Sequence, residues 1–270
     1  MTHHINVAGI PLYCKPMNQA VEEVVKVSAG AGPATPDEMK SADDSSSRKN
    51  RCISATGAHG IVHARKDSDF AEILRSYHIN LPDGVPGVWV GRLKGAKQME
   101  RCYGPDFFAE VMRASADLPV RHFLCGGADG VAGKLAEACR KKFGNDQICG
   151  TYTPPFLPAA EFDYEEIARR IGQVRADIVW IGLGAPKQEE FAWRLAQHTD
   201  VHYLVAVGAA FDFHTGRLSQ APRWMQRAGL EWFYRLMSEP GRLWRRYGEV
   251  VPKFIWYAAG DLLVKNPDSD

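Results

Sequence analysis

The 270-residue sequence lacks features that mark several classes of protein. Its six cysteines include no C-x-x-C pair and no Cys/His group with ligand spacing, which speaks against a zinc site. Most of them lie inside apolar runs such as HFLCGG, so we expect buried, reduced thiols of a cytosolic protein. The formal net charge is only +1, which gives the whole molecule no global attraction to nucleic acid or anionic lipid.

Long hydrophobic runs are also scarce. The N-terminal MTHHINVAGIPLYC lacks the charged-then-apolar order of a signal peptide. The longest late apolar run, residues 254–264, is too short to span a bilayer and is interrupted by Asp261. We therefore expect a cytoplasmic protein without a transmembrane helix.

What the sequence does contain, from Arg51 onward, is a regular alternation of apolar strands and amphipathic helices. Continuous apolar strands that alternate with helices indicate a parallel sheet covered on both faces. The predicted fold class is therefore α/β, a Rossmann-like parallel sheet with helices on both faces and a C-terminal helical appendage. The predicted parts are an N-terminal strand and helix of the core (1–27), a mobile insertion rich in Ser, Gly, Pro and charge (28–50), an α/β catalytic core (51–216) and a basic aromatic appendage (217–270).

The appendage differs in texture from the core. Residues 217–253 contain eight basic and three acidic residues, so the segment carries about +5 within a molecule of +1. Its arginines are interleaved with Trp and Tyr. Part of it must be helix that packs on the core, while the remaining arginines and aromatics suit a diphosphate or an anionic lipid interface. No nucleic-acid-binding motif accompanies them, so nucleic acid is not an expected partner.

Ligands of open parallel sheets bind beyond the carboxyl ends of the strands. Several predicted strands end there in glycine or a carboxylate, which suggests a crevice for a nucleotide or phosphate: Gly126-Gly127, Gly182 and Gly184, Gly208 and Asp212, and Asp83-Gly84. The run from Gly126 to Gly130 is a broken dinucleotide fingerprint, and a tight strand-to-helix turn explains it equally well.

Three polar positions allow two interpretations each. Lys187 at a predicted helix N-terminus is electrostatically disfavoured, so it indicates an anionic ligand unless it is simply solvated. Asp83 is either a helix cap or a general base at a strand end. The D-x-D sequence at 67–69 lies in an exposed polar patch between helical segments, where a cap or turn is the better interpretation than a metal site.

A set of motifs, in order, gives the sequence a specific resemblance. They include INVAGIPL, LPDGVPGVWVGRLKG, ERCYGPDFF, FLCGGADGVAGKL, IVWIGLGAPKQEEF and GLEWFYRLMSEPGRLWRRY. With these stretches the chain resembles the WecG/TagA/CpsF glycosyltransferases over nearly its whole length except residues 28–50 and the last few. PDG, GLGAPKQE and the appendage motif are the most distinctive.

The resemblance implies an inverting hexosyltransferase that uses neither a cofactor nor a metal ion. The implied donor is a UDP-sugar carrying N-acetylmannosamine, its uronic acid, glucose or glucuronate, and the implied acceptor is a polyprenyl-diphosphate-linked glycan. Such an enzyme makes exopolysaccharide or another cell-surface polymer. It would lie peripherally on an anionic membrane surface, at the inner face of the cytoplasmic membrane. The oligomeric state is left open, and a homo-oligomer is compatible with the sequence.

Site residues follow from the motifs that match. Asp83 of LPDG matches the proposed catalytic base of the family, and Thr56 matches a threonine near the donor. The asparagine that many members carry shortly after this threonine is absent here, and His59 is the candidate replacement. The other implied substrate-binding residues are Gln188 and Asp212 in the nucleotide-sugar pocket, Tyr152 near the uracil, Gly127, Gly184 and Lys187 at helix N-termini near the leaving diphosphate, and the appendage arginines Arg235, Arg242, Arg245 and Arg246.

Two alternatives stay open. A nicotinamide-dependent oxidoreductase requires an intact glycine fingerprint and a ribose-binding acid about twenty residues later, and the fingerprint is broken here. The missing asparagine leaves open a non-catalytic, membrane-associated partner protein that only binds nucleotide sugars. The presence of Asp83, Gln188 and Asp212 favours the enzyme.

Overall fold

The computed structural model describes residues 3–30, 51–222, 224–225 and 229–263. The N-terminal part is a hairpin of two antiparallel strands, β1 (His4–Val7) and β2 (Ile10–Tyr13), followed by helix α1 (Met17–Gly30). The sequence indicated one strand here. Two form because Ala8 and Gly9 adopt left-handed backbone angles, φ +51° and +93°, and so reverse the chain. Residues 31–50, most of the predicted insertion, lie outside the described residues.

The central sheet has six strands, all parallel, in the order β4-β3-β8-β7-β5-β6. They are β3 (Cys52–Thr56), β4 (Ile79–Pro82), β5 (His122–Gly126), β6 (Ile148–Tyr152), β7 (Ile178–Gly182) and β8 (Tyr203–Ala206). In the register, Thr56 lies opposite Pro82 and Gly126 opposite Gly182, so the strands end along one edge of the sheet. This edge places the loops that form the site.

Eight helices connect or cover the strands of the sheet in the described part of the core. They are α2 (Ala58–Ala64), α3 (Ser68–Ser76), α4 (Val85–Leu93), α5 (Gly104–Ala114), α6 (Val131–Phe143), α7 (Tyr164–Gln173), α8 (Lys187–Leu195) and α9 (Ala210–His214). Successive strand residues face opposite ways. Leu124 therefore joins an apolar cluster with α1, α5 and α6, and Phe123 joins a second cluster with α7 and α8. The predicted α/β fold class, with helices on both faces, is confirmed.

The sequence suggested that Asp212 ends a strand, and this prediction is wrong. Strand β8 stops at Ala206, and Asp212 lies in the short helix α9. The glycines at the ends of β5 and β7 also allow the two strands to pack closely. A Cβ on Gly126 would lie 2.6 Å from the Gly182 carbonyl oxygen, so the backbones approach too closely there for any side chain.

The appendage consists of α10 (Glu231–Ser238) and the 24-residue α11 (Pro240–Leu263). Val250, Phe254 and Ala258 of α11 are buried in an apolar cluster with α2, α3 and the N-terminal hairpin. Near the end of α11, Asp261 binds Lys94 Nζ at 2.9 Å and accepts from the Ala8 N–H at 2.9 Å. Within the described ranges, none of the helices combines the length and apolar character needed to cross a membrane.

Candidate functional site

A cleft of about 960 Å³ opens where the parallel strands end. Loops that follow β3, β4, β5, β6, β7 and β8 line it, together with residues of α10 and α11. The structure brings ten of the sequence-predicted site residues to this cleft: Thr56, His59, Asp83, Gly127, Gly184, Lys187, Gln188, Asp212, Arg235 and Arg246. They divide into a cleft floor of buried or half-buried polar groups (Thr56, Asp83, Gln188 and Glu189) and a cationic lining (Lys187, Arg235 and Arg246).

Asp83 is held at the end of β4 by the backbone around it. Its N–H donates to the Thr56 carbonyl at 3.2 Å, and its Oδ1 accepts from the Gly104 N–H at 2.9 Å. The carboxylate therefore binds the first turn of α5. The cap position of α4 belongs to Gly84, so the interpretation of Asp83 as the cap of that helix is wrong. The other oxygen, Oδ2, lies beside Gly57, where a Cβ would be 3.7 Å away.

Burial is the main cause that raises the pKa of Asp83 from 3.8 to about 6. The Gly104 N–H and Arg101 act in the opposite direction, and the carboxylate of Glu231 adds to the increase. A carboxyl group with a pKa near 6 is mostly ionised at neutral pH and is still a useful proton acceptor. These are the properties of a general base.

Arg101 is a residue of the site that the sequence did not single out. Its Nε donates to the Asp83 carbonyl oxygen at 3.0 Å, and its guanidinium forms an ion pair with Glu231 of α10. The guanidinium also lies 4.2 Å from the centre of the Tyr103 ring. Arg101 thus connects the loop of Asp83 in the core with the appendage. Its partner is 130 residues away in the sequence, and no local pattern signals such a contact.

A buried hydrogen-bond network underlies the cleft floor. Glu189 Oε1 accepts from Gln188 Nε2 and from Ser54 Oγ, both at 3.0 Å, and Ser54 Oγ accepts from Thr56 Oγ1 at 3.0 Å. Burial raises the pKa of Glu189 to about 7, against the two side-chain donors. Glu189 was also missed from the sequence, because it looks like one of two ordinary acids in the first turn of α8.

The cationic lining comes from the start of α8 and from the appendage. Lys187 is the first residue of α8, and its Nζ lies 4.8 Å from the ring centre of Phe156 and 5.1 Å from that of Phe162. Phe156 lies in the loop after β6, lines the cleft and is 99 % exposed. The appendage supplies Arg235 and Arg246, which are half-buried. The cleft therefore combines carboxylates in its floor with cations in its lining. This combination suits a ligand that carries negative charge at one end and binds beside a proton acceptor at the other.

His59 lines the cleft from α2. Burial and the nearby charge of Arg246 lower the pKa of its imidazole to about 4, so the ring is neutral at physiological pH. Its Nδ1 has no hydrogen-bond partner among the described residues. A neutral ring with an unused nitrogen suits a polar ligand contact, which agrees with its predicted role as a replacement for the missing asparagine.

Asp212 reaches the cleft from α9, where its Oδ1 lies 3.1 Å from Arg217 Nε. Two other predicted residues are not brought into the cleft. Tyr152 lies on β6, where its ring packs on the α7 side of the sheet, 5.3 Å from the Arg170 guanidinium. Arg245 is exposed and lies 5.6 Å from the centre of the Trp244 ring. One position along a helix turns the side chain by about 100°, so Arg245 does not share the direction in which Arg246 lines the cleft. The side chain of Arg242 lies outside the described residues.

The D-x-D residues 67–69 are not among the residues that line the cleft. Asp67 is the N-cap of α3, and its carboxylate accepts from the Phe70 N–H at 3.0 Å. The interpretation of this segment as a helix cap is confirmed.

Comparison with known proteins agrees with this architecture. The model of the glycosyl transferase WecG/TagA/CpsF family matches residues 25–267. An N-acetylglucosaminyldiphosphoundecaprenol N-acetyl-beta-D-mannosaminyltransferase of Bacillus subtilis (strain 168) is 31% identical over 191 residues, 71% of this chain and 72% of that protein. The protein of the same name from Bacillus spizizenii is 30% identical over 192 residues, again 71% and 72% of the two chains. The resemblance predicted from the motifs is confirmed, and the chain belongs to the WecG/TagA/CpsF family of glycosyltransferases.

Proposed function

We propose that this glycosyltransferase moves a sugar from a UDP-sugar to a polyprenyl-diphosphate-linked glycan, with inversion, in the synthesis of exopolysaccharide or another cell-surface polymer. The candidate sugars are N-acetylmannosamine, its uronic acid, glucose and glucuronate. The names of the two Bacillus relatives specify N-acetylmannosamine as the sugar and N-acetylglucosaminyldiphosphoundecaprenol as the acceptor, which supports a lipid-linked acceptor here. The observation on which the proposal depends is the pairing of Asp83 with three cations in one cleft.

The reaction requires a base on the face of the sugar opposite the leaving group. In the proposed step, Asp83 accepts the proton of the acceptor hydroxyl while the oxygen of that hydroxyl forms a bond to the anomeric carbon. The bond between that carbon and the diphosphate oxygen breaks, and UDP leaves with the electron pair. Oδ1 is held by the Gly104 N–H, so the carboxylate is oriented before the acceptor arrives.

The departing UDP gains negative charge, which must be stabilised in the transition state. We assign this role to Lys187, Arg235 and Arg246, because all three are basic side chains that line the cleft. Arginine also suits a diphosphate because its planar guanidinium can donate two parallel hydrogen bonds to phosphate oxygens. The N–H groups of Gly127 and Gly184 are already used, by the Gly182 carbonyl at 3.0 Å and by the Gln188 side-chain oxygen at 3.1 Å, so the cations carry this role.

The aromatic contact to the nucleobase is better assigned to Phe156 than to Tyr152. Phe156 lines the cleft with its ring exposed, next to Lys187, whereas Tyr152 packs on the sheet. An exposed ring at a cleft edge provides a stacking surface for a planar base. Its position beside a phosphate-binding lysine suits a nucleotide with base and diphosphate in adjacent subsites.

We also propose that the appendage seats the protein on an anionic membrane surface at the inner face of the cytoplasmic membrane. Trp244, Ile255 and Trp256 of α11 are 59 %, 62 % and 77 % exposed. The segment 217–253 that contains part of this surface carries about +5. Aromatic side chains combined with basic residues bind at the lipid headgroup level without spanning the bilayer.

The test is an assay of the purified full chain with a panel of UDP-sugars and a polyprenyl-diphosphate-linked acceptor. We expect UDP release and an extended lipid-linked product with one donor of the panel, and a higher Tm in the presence of UDP or that donor. An increase of Tm with NAD but not with UDP would contradict the proposal in favour of an oxidoreductase. Binding of UDP-sugar without turnover on any lipid-linked acceptor would favour a non-catalytic partner protein.

A further inference from the structure

The direction of the hydrogen bonds beneath the cleft floor is fixed by one side chain. Glu189 is 2 % exposed and accepts two hydrogen bonds at Oε1. Oε1 can only accept, both when Glu189 is ionised and when it carries a proton on the other oxygen, Oε2, so Gln188 must donate from Nε2 and Ser54 must donate from Oγ. Since the proton of Ser54 points to Glu189, the lone pairs of Ser54 Oγ are left to accept the proton of Thr56.

These directions determine what Gln188 and Thr56 offer to a ligand. The Gln188 side-chain oxygen accepts from the Gly184 N–H at 3.1 Å, and one Nε2 hydrogen is used by Glu189, so the second Nε2 hydrogen is the group left for the cleft. Thr56 directs its hydroxyl proton inward to Ser54 at 3.0 Å or to Asn80 Oδ1 at 3.4 Å. Its oxygen lone pairs are then left for a ligand.

We propose that Glu189 is a positioning residue that sets the direction of these hydrogen bonds. As a result, Gln188 acts as a donor and Thr56 as an acceptor toward the bound sugar nucleotide. The proposal rests on the proposed function for the identity of the ligand. Glu189 itself is not required to touch the substrate. Its oxygen Oε1 acts through the two neighbours that it orients, whether or not the other oxygen, Oε2, meets a ligand.

An alternative account is that the network only stabilises the fold. The chemistry of the contacts argues against it, because both groups that Glu189 orients line the cleft. If the network only stabilised the fold, any set of hydrogen bonds that pairs the buried donors with the buried acceptors would be sufficient. Here the arrangement also determines which hydrogen-bonding groups remain for the cleft, and one hydrogen bond to a ligand changes affinity or rate by about 10-fold.

The experiment compares two substitutions at Glu189 with one at its neighbour. Glu189→Gln keeps an acceptor oxygen for Gln188 and Ser54, whereas Glu189→Met has a similar length and no such acceptor. Glu190→Met is the matched control, because Glu190 follows directly in α8 but pairs with Arg194 outside the cleft. We expect kcat/KM for the UDP-sugar to fall about 10- to 100-fold in Glu189→Met and to stay within about threefold of the original protein in the other two.

A double-mutant cycle separates positioning from stability. In the background of Thr56→Val, which removes the hydroxyl, Glu189→Met should lower kcat/KM by a smaller factor than it does alone. Additive losses in kcat/KM would overturn the proposal, and so would equal losses in Glu189→Gln and Glu189→Met. Should Glu189→Met fail to fold, a Glu189→Gln protein with kcat/KM below a tenth of the original value overturns it alone.

A readout without substrate keeps this proposal distinct from the proposed function. The side-chain NH2 resonances of Gln188 should shift and exchange faster with water in Glu189→Met than in Glu189→Gln. If these resonances move as expected while the original protein turns over no UDP-sugar, the proposed function fails and the positioning role stands. Unchanged Gln188 resonances in Glu189→Met overturn the positioning role whatever the activity.

Discussion

The two sides of the cleft are built in different ways. The cleft floor comes from the core, where Asp83, Gln188 and Glu189 are held by hydrogen bonds to backbone and to each other. The arginines of the cationic lining come from α10 and α11, and they are half-buried. The floor is thus oriented before a ligand binds, whereas the appendage presents long flexible cations beside it.

The attachment of the appendage differs along its length. The later half of α11 is anchored by buried apolar side chains and by Asp261, which is bonded to both Lys94 and Ala8. Near the cleft, the polar pair of Arg101 and Glu231 connects α10 with the loop of Asp83. A rigid floor suits the chemical step and an adjustable lining suits charge stabilisation, so changes on the two sides should have different kinetic signatures.

The largest effect is expected for Asp83→Asn on the floor. The amide cannot accept the proton of the acceptor hydroxyl, so turnover should fall about 10²- to 10⁴-fold. Affinity for UDP, measured by calorimetry, should change little because the cationic lining is intact. Asp69→Asn in the exposed first turn of α3 is the control and should keep full activity. Turnover within a few-fold of normal in Asp83→Asn would remove Asp83 from the role of base.

The pH dependence tests the same residue without mutation. Asp83 must be ionised to act as a base, and burial raises its pKa to about 6. We therefore expect kcat/KM to be constant above that value and to fall about tenfold per pH unit below it. A profile measured from pH 4.5 to 8 that remains flat down to pH 5 would contradict the assignment.

How far the sequence predicts this site depends on the type of signal. Apolar strands alternating with helices predict a parallel sheet, and such a sheet gathers strand ends at one edge, so Asp83, Gly127 and Gly184 are expected together. Thr56 and Gln188 are predicted only from the family resemblance. Arg101 and Glu189 were missed because their partners Glu231 and Ser54 lie 130 and 135 residues away. Only the folded chain creates those contacts.

Other differences arise from local geometry. Arg245 and Arg246 are adjacent in the sequence, yet the helical phase of α11 places only Arg246 at the cleft. Similarly, the loop after β6 brings Phe156 rather than Tyr152 to the cleft, which depends on where the strand ends. A motif identifies such segments, but the orientation of each side chain is set by the backbone.

The helical phase of α11 provides a matched pair of variants for the cationic lining. Arg246→Ala removes a cation from the cleft and should lower kcat/KM for the UDP-sugar about tenfold. Arg245→Ala removes the same charge from the exposed face beside Trp244 and should leave kcat/KM nearly unchanged. The position of the pH profile should be the same in both variants, since Asp83 is retained. Equal losses in the two variants would indicate a general effect of charge rather than a contact in the cleft.

The connection between the two sides is tested at Arg101 and Glu231. Their side chains are 18 % and 11 % exposed, so the pair is partly shielded from water. We expect a double-mutant cycle of Arg101→Met and Glu231→Gln, measured by urea unfolding, to give a coupling energy of about 1 kcal/mol. Arg101→Met should also lower kcat/KM several-fold, because the Asp83 carbonyl loses its donor. A coupling energy near zero would show that the appendage is held without this pair.

The smallest effect is expected where the appendage meets lipid. Ile255→Ala combined with Trp256→Ala removes two of the most exposed apolar side chains of α11, and binding to vesicles containing anionic lipid should fall about threefold. Phe156→Ala is the control, because it removes an even more exposed ring from the cleft and should weaken UDP binding while vesicle binding is kept. Vesicle binding of the original protein should decrease as salt rises, since the basic residues of 217–253 supply part of the attraction. Binding that is independent of salt and of these two side chains would place the membrane contact elsewhere on the protein, and the appendage would then serve the cleft alone.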